Sequence, residues 1–462
     1  MAIQQRPVKG WEVGTIRTKH AVAFAALALW LGGAAVAHAD DTTPATPPEA
    51  PEDRSLHGQA TFTEQYHPAF ASPYRGANSL DPGSRGDETF DATLFAGLRL
   101  WAGGEAYINP EIDQGFGLSD TLGVAGFTSG EAYKVGASSP YFRVQRLFFR
   151  QTFDLGGDTE NVAPAANQLA GSKTADNLVI TAGKMSVVDI FDTNDYAHDP
   201  RGDFLNWSLI DSGAFDYAAD SWGYSYGVAA EWTEDWWTWR AGLFDLSRIP
   251  NERELVRGFG EYEAVTEFEA RTSLMNRPGK IKFLAYANRG RMGDYNDAVA
   301  LAEKTGALPD TALVRLPAFK PGAALNAQQE ISDALGAFVR LSLNDGSKEA
   351  YEFTEINRSL AAGLALKGGE WGRKDDTVGT AFVINGMSKS AQSYFADGGL
   401  GILIGDGQLP HYGTEDIFET YYRAPVTDWL SAGLDYQFIA NPAYNRDRGP
   451  VSVIGAQLHA AF

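Results

Sequence analysis

From His57 to the C-terminus, short segments in which apolar residues recur at every second position follow one another along the chain. A period of two puts successive side chains on opposite faces of an extended backbone, so the repeat selects strands over helices. In residues 93–101, Leu94, Ala96, Leu98 and Leu100 share one face and Thr93, Gly97 and Arg99 the other. In 105–111, Ala106 and Ile108 oppose Glu105, Tyr107, Asn109 and Glu111. Tyr224, Tyr226, Val228 and Trp232 oppose Ser225, Gly227 and Glu231, and Trp237, Trp239, Ala241 and Leu243 oppose Thr238, Arg240 and Gly242. The cleanest case is 261–271, where Tyr262, Ala264, Phe268 and Ala270 face away from Glu261, Glu263, Glu267, Glu269 and Arg271.

Further strands are expected at 57–66, 143–153, 177–185, 280–289, 333–343, 348–355, 358–366, 378–386, 412–422, 429–440 and 451–462. That makes about sixteen strands of roughly 8–13 residues, near the length that crosses a membrane when tilted. A soluble periplasmic sandwich alternates too, but its apolar faces meet in a shared core. Here the apolar faces carry Ala, Leu, Tyr and Trp, with rings near strand ends, as a lipid-facing band with aromatic girdles would. The opposite faces mix Glu and Arg, as a water-filled lumen tolerates. The expected fold is therefore an all-β transmembrane antiparallel barrel.

The ends of the chain agree. Residues 1–20 hold Arg6, Lys9, Arg17 and Lys19 against Glu12, residues 21–37 carry no charge, and Ala37-His38-Ala39 precedes Asp40-Asp41. This is the pattern of a cleaved export signal, expected over 1–39. A membrane anchor fits less well, since the apolar run is short and rich in Gly and Ala. Residues 40–56, with Pro44, Pro47, Pro48 and Pro51, read as a disordered acidic leader, and 57–462 as the barrel. At the other end Ile454, Ala456, Leu458, Ala460 and Phe462 alternate to the last residue, which resembles the assembly signal of bacterial outer-membrane barrels.

Charge and composition exclude several functions. There are 38 Lys+Arg against 59 Asp+Glu, and removing 1–39 leaves 34 bases against 58 acids, a formal charge of −24. No nucleic-acid partner is expected for so acidic a chain. Without any Cys there is no thiolate metal site or cysteine nucleophile. The seven His form no paired ligand spacing, and neither a nucleophile elbow nor a phosphate loop is present. No catalytic residue, metal or cofactor is expected. The competing classes are a barrel-embedded hydrolase, for which a pair such as Glu267 and Glu269 is available, and a structural barrel.

The connections suggest a topology. Short ones at 102–103, 233–235, 344–347 and 423–428 read as periplasmic turns. Long ones at 67–88, 113–142, 186–222, 290–332, 387–411 and 441–450 read as extracellular loops. Residues 154–176 are long for a periplasmic connection, and 348–366 require either a tight turn near 356–358 or a single strand.

The chain resembles the OprB family of carbohydrate-selective porins. The resemblance spans about 56–462 and rests on several blocks in order. The first is Trp101-Ala102-Gly103-Gly104-Glu105-Ala106-Tyr107-Ile108-Asn109-Pro110-Glu111. Next come Asn194-Asp195-Tyr196-Ala197-His198-Asp199-Pro200 with Phe204-Leu205-Asn206-Trp207, and Ala214-Phe215-Asp216-Tyr217-Ala218-Ala219-Asp220 with Trp222-Gly223. The last are Asp435-Tyr436-Gln437 and the stretch from Asn441 to Pro450, where Ala443 replaces a usual Gly. It implies a sixteen-stranded channel of the Gram-negative outer membrane, narrowed by inward-folded loops, that passes glucose and similar monosaccharides. Its partners would be those sugars and outer-membrane lipid, with a homotrimer as the usual state of large porins. A general small-solute porin without sugar selectivity is the alternative.

A sugar has apolar faces and a rim of hydroxyls, so its site needs flat rings and forked or amide hydrogen-bonding groups. The polar faces supply Arg99, Glu105, Arg146, Arg150, Glu231, Arg240, Glu263, Glu267 and Arg271 as candidate pore-lining residues, each of which also fits a charge ladder of the wall. Arg146 and Arg150 are expected together at the narrow part. Residues 186–222 are the expected inward loop, in which Trp207 suits either a sugar face or a wedge against the wall. The run Asp189, Asp192, Asp195, Asp199, Asp203 suits Ca²⁺ by ligand chemistry, but its spacing is that of turn-forming side chains rather than of a calcium loop.

Overall fold

The computed structural model describes residues 51–353 and 355–462, so the export segment 1–39 and most of the leader lie outside it. Among the described residues sixteen antiparallel strands close into a barrel. The first eight are β1 (Arg54–His67), β2 (Arg85–Trp101), β3 (Gly104–Gly115), β4 (Ala137–Val162), β5 (Gly171–Met185), β6 (Ser225–Glu234), β7 (Trp237–Asp245) and β8 (Tyr262–Leu274). The others are β9 (Arg277–Met292), β10 (Leu316–Glu330), β11 (Leu335–Asn344), β12 (Arg358–Gly368), β13 (Arg373–Gly386), β14 (Glu415–Thr427), β15 (Leu430–Ala440) and β16 (Val451–Ala461). Every strand pairs with its neighbours in sequence, and β1 pairs with β16 from Gln59↔Ala461 to Tyr66↔Ile454. At the seam Phe462 exchanges two 3.0 Å backbone hydrogen bonds with Gly58, and its ring lies where a Cβ on that glycine would stand. Closure leaves no unpaired strand edge in lipid.

The alternation read from sequence maps onto the two sides of the wall. Leu94, Leu98, Leu147, Phe283 and Leu360 are exposed on the outside, whereas Glu263, Glu267 and Gln437 are buried inside. Around the short-turn rim stand Trp101, Trp236, Trp371 and Trp429, all exposed, as in an interfacial aromatic girdle.

Sixteen strands are present, but two expectations at the strand level were wrong and cancel in the count. The described residues of 348–355 form no strand. Glu349, Ala350, Tyr351 and Glu352 are buried on both faces because the segment belongs to an inward-packed loop. Conversely β10 lies inside the expected loop 290–332. Its two prolines obscured it, yet Pro317 and Pro321 sit where only β9 flanks the strand, before pairing with β11 begins at Gly322. Residues 54–56, read as the end of the leader, are strand, paired with Leu98, Gly97 and Ala96.

Connections 102–103, 235–236, 275–276, 331–334, 369–372 and 428–429 are short and share one rim, the periplasmic one by their length. The expected turn at 344–347 belongs instead to the long-loop rim, within 345–357. The connection 154–176 is mostly strand, leaving only 163–170 between β4 and β5. Three α-helices among the described residues, α1 (Trp207–Ile210), α2 (Tyr295–Thr305) and α3 (Lys389–Ala396), lie in the long loops.

Candidate functional site

The loop 186–224 enters the barrel, and the wall supplies partners for its backbone. Glu267 accepts from Asp192 N–H (2.8 Å), Glu263 from Ala218 N–H (3.0 Å), and Glu419 from the N–H groups of Leu205 (2.5 Å) and Asn206 (3.0 Å). From the other direction Arg340 donates to the carbonyls of Leu209 (2.7 Å), Asp192 (3.0 Å) and Ala197 (2.8 Å). Asn206 caps α1 through Ser208 N–H at 3.1 Å. A loop buried inside a barrel loses water as a partner, so each of these bonds satisfies a backbone group that would otherwise be costly. The acidic run is divided among such tasks: Asp192 accepts from Ser212 N–H (2.6 Å), Asp195 meets Lys280 (3.0 Å), and Asp203 accepts from His198 and Asp199. Among the described residues no three acidic or His side chains are grouped as a metal site.

This loop and residues of the loops 116–136, 246–261, 345–357 and 387–414 line a half-open cavity of ≈ 290 Å³. One wall is aromatic. Trp207 is stacked between Phe127 (5.3 Å) and Phe353 (5.5 Å), and Tyr217, Trp222 and Tyr224 continue the lining. Charged side chains complete the lining. Arg146, reaching in from β4, grips Asp189 with both arms of its fork at 2.7 and 2.6 Å and lies over the ring of Tyr224. Arg201 bridges Asp91 (3.0 Å) and Glu131 (3.3 Å).

Burial alone would raise the Asp189 carboxyl, but the charge and hydrogen bonds of Arg146 hold it below the ordinary carboxylate range. Burial and the nearby charge of Asp192 push Asp211 up to about 8, so it keeps its proton at neutral pH. Burial and the charge of Arg340 hold His198 below its ordinary value. His198 Nδ1 and Asp211 Oδ1, 3.9 Å apart, and Glu352 Oε2 are fully buried beside this cavity and make no hydrogen bond among the described residues. The arrangement sets aromatic rings beside charged and polar side chains, which suits a small polar, uncharged solute.

The ten residues singled out from the sequence divide into three groups. Arg146 and Trp207 line this cavity. Glu263 and Glu267, at 0% and 1% exposure, are loop anchors with no face toward a solute. The remaining six lie toward the periplasmic end. Arg99 pairs with Glu105 (3.2 Å), Arg240 with Glu231 (3.0 Å), Arg150 donates to Asn167 O (2.9 Å), and Arg271 caps carbonyls of the turn at 235–236. Arg146 and Arg150 therefore do not share one cavity. Arg201, Asp211, His198 and Tyr217 line it unpredicted. All four lie in the loop whose entry was expected, but loop residues lack the alternation that distinguishes an inward side chain from an outward one.

A family model described as carbohydrate-selective porin, OprB family, matches residues 77–462. Among solved structures, that of Pseudomonas putida OprB at high pH superposes with a TM-score of 0.67 at 16% identity, over 89% of this chain and 94% of that one. The low-pH structure of the same protein gives 0.48 at 12% identity, over 89% and 93%. The outer-membrane channel DcaP of Acinetobacter baumannii gives 0.48 at 8%, over 89% and 97%. At such identities the likeness to P. putida OprB is one of fold. No curated protein matches the chain.

Proposed function

We propose a path for single sugar rings through a chain that belongs to the OprB family of carbohydrate-selective porins. The barrel sits in the Gram-negative outer membrane and conducts carbohydrate; it is a channel. The finer reading is that glucose and similar monosaccharides pass one at a time through the cavity beside Arg146. The observation that carries it is the pairing of aromatic side chains with the charged side chains of Arg146, Asp189 and Arg201 in a space of ≈ 290 Å³. Trp207, whose faces are covered by Phe127 and Phe353, and Tyr224, which lies under Arg146, give the space an apolar border for a pyranose. Arg146, held flat by Asp189, keeps donors for paired hydroxyls because its guanidinium is planar and stays charged. Binding stays weak, as conduction needs, because no single group closes over the solute.

The test is conductance in planar bilayers with a glucose titration. Arg146→Ala should cost about 1–3 kcal/mol of sugar binding if its hydrogen bonds are charge-assisted, lowering sugar block of the ion current by roughly 5- to 150-fold. It should also raise cation selectivity, because Asp189 loses its partner. Unchanged block and unchanged selectivity would place Arg146 outside the path.

A further inference from the structure

Six of the seven connections on the short-turn rim are tight; the seventh, between β4 and β5, is not. β4 runs 26 residues to Val162, well past the neighbouring turn at 102–103. Its pairing with β5 shifts register at Asp154/Gly156 and again at Gly156/Thr159, and Gly156 and Gly157 adopt φ of 141° and 83°. Successive bulges bend a hairpin. This one bends back into the barrel mouth. Leu169 N–H donates to the hydroxyl of Tyr107, a lumen-facing residue of β3, at 3.2 Å, and Leu169 and Ala170 are each only 2% exposed. Arg150 holds Asn167 O at 2.9 Å, and Arg99 holds Ala170 O at 3.0 Å. Ala170 also exchanges hydrogen bonds with Glu52 at 3.0 and 2.8 Å.

Beneath the hairpin tip lies a cavity of ≈ 570 Å³, separate in its lining from the one beside Arg146. A second, of ≈ 410 Å³, shares Lys173, Val179 and Glu231 with it. The larger is lined by three cations, Arg99, Arg150 and Lys173, and three anions, Glu105, Asp154 and Glu231. Arg99 is already paired with Glu105, and Glu231 with Arg240, so the chamber is rich in donors and acceptors while its formal charges balance. Such a lining discriminates against neither ion sign and favours a neutral solute with many hydroxyls.

We propose that the β4–β5 hairpin builds a second, periplasmic-side binding station for neutral polyhydroxy solutes. It rests on the sugar path proposed above and extends it: a solute leaving the cavity beside Arg146 pauses in the chamber before release. Two weak sites in series keep a conducting path occupied without trapping the solute.

Two variants test this in planar bilayers. In the first, residues 155–176 are replaced by Asn-Gly, which joins the paired Asp154 and Asn177 through a tight hairpin turn. Conductance should rise, and glucose block should lose one of two dwell-time populations. In the second, Gln168→Cys places the sole thiol of a cysteine-free chain at the hairpin tip. A charged methanethiosulfonate added on the periplasmic side should reduce the current, and glucose should slow that reaction. Identical conductance and dwell times after hairpin replacement, or full modification of the Gln168→Cys channel with undiminished current, would overturn the second station. If the replacement channel does not reach the heat-modifiable folded form, the Gln168→Cys result decides alone. Absence of any glucose block in the unaltered channel would instead overturn the sugar path itself, whereas a single dwell population in both channels would remove only the inner station.

Discussion

Asp211 is the residue where burial and function meet most directly. Its carboxyl titrates near 8, far above the ordinary ~3.9, because it is buried near the charge of Asp192. A raised carboxyl favours the folded chain while protonated, so its contribution to stability is complete below about pH 4 and is lost as pH rises toward 8. In the cavity the same titration adds a negative charge. Cation selectivity should therefore climb as pH rises through about 8, and Asp211→Asn should flatten that step. Reversal potentials in a salt gradient on either side of that pH measure it. A step of equal size in the Asn variant would assign the titration to another group. Asp211 was not foreseen from sequence, whereas Arg146 was. A strand residue inherits its direction from its neighbours, but Asp211 points inward only because Arg340 and Glu267 hold the loop around it.

At the level of elements, the wall and the loops are linked through carboxylates. Glu419→Ala leaves the N–H groups of Leu205 and Asn206 buried without acceptors, which costs roughly 1–3 kcal/mol for each group. The barrel should still fold, but the loop 186–224 should loosen, raising open-channel noise and weakening glucose block. Quiet channels with full block would show that the other anchors suffice. On the outer face Phe283→Arg, at a position 57% exposed to lipid, should destabilise the barrel by about 2–4 kcal/mol if it lies near mid-bilayer. The check is the urea concentration at which the folded band disappears. The strands were legible because each needs only a period of two. The exceptions follow from that rule. The segment 348–355 alternates, yet its described residues pack in a loop, and β10 alternates weakly because Ala323, Ala327 and two prolines occupy its outer positions.

For the whole molecule, the decisive step is closure between β1 and β16. Deleting Phe462 removes two backbone hydrogen bonds and the ring that covers Gly58. Less heat-modifiable protein should accumulate in the outer membrane, and Phe462→Tyr should restore it. Accumulation equal to that of the full chain would separate closure from the last residue. Barrel and membrane were readable along 57–462 because they depend on repetition, and the family because its motif blocks stand in order along the chain. The site was readable only in part, since it forms where several loops meet and no repeat governs that meeting. Glu263, Glu267 and Glu419 grasp loop N–H groups, which nearly every residue type possesses. The barrel thus works as a socket that is largely indifferent to what it holds. Side chains on the loop can drift, or a loop from another barrel can be spliced in, while the fitting stays the same, so a new solute preference can arise without redesign of the wall.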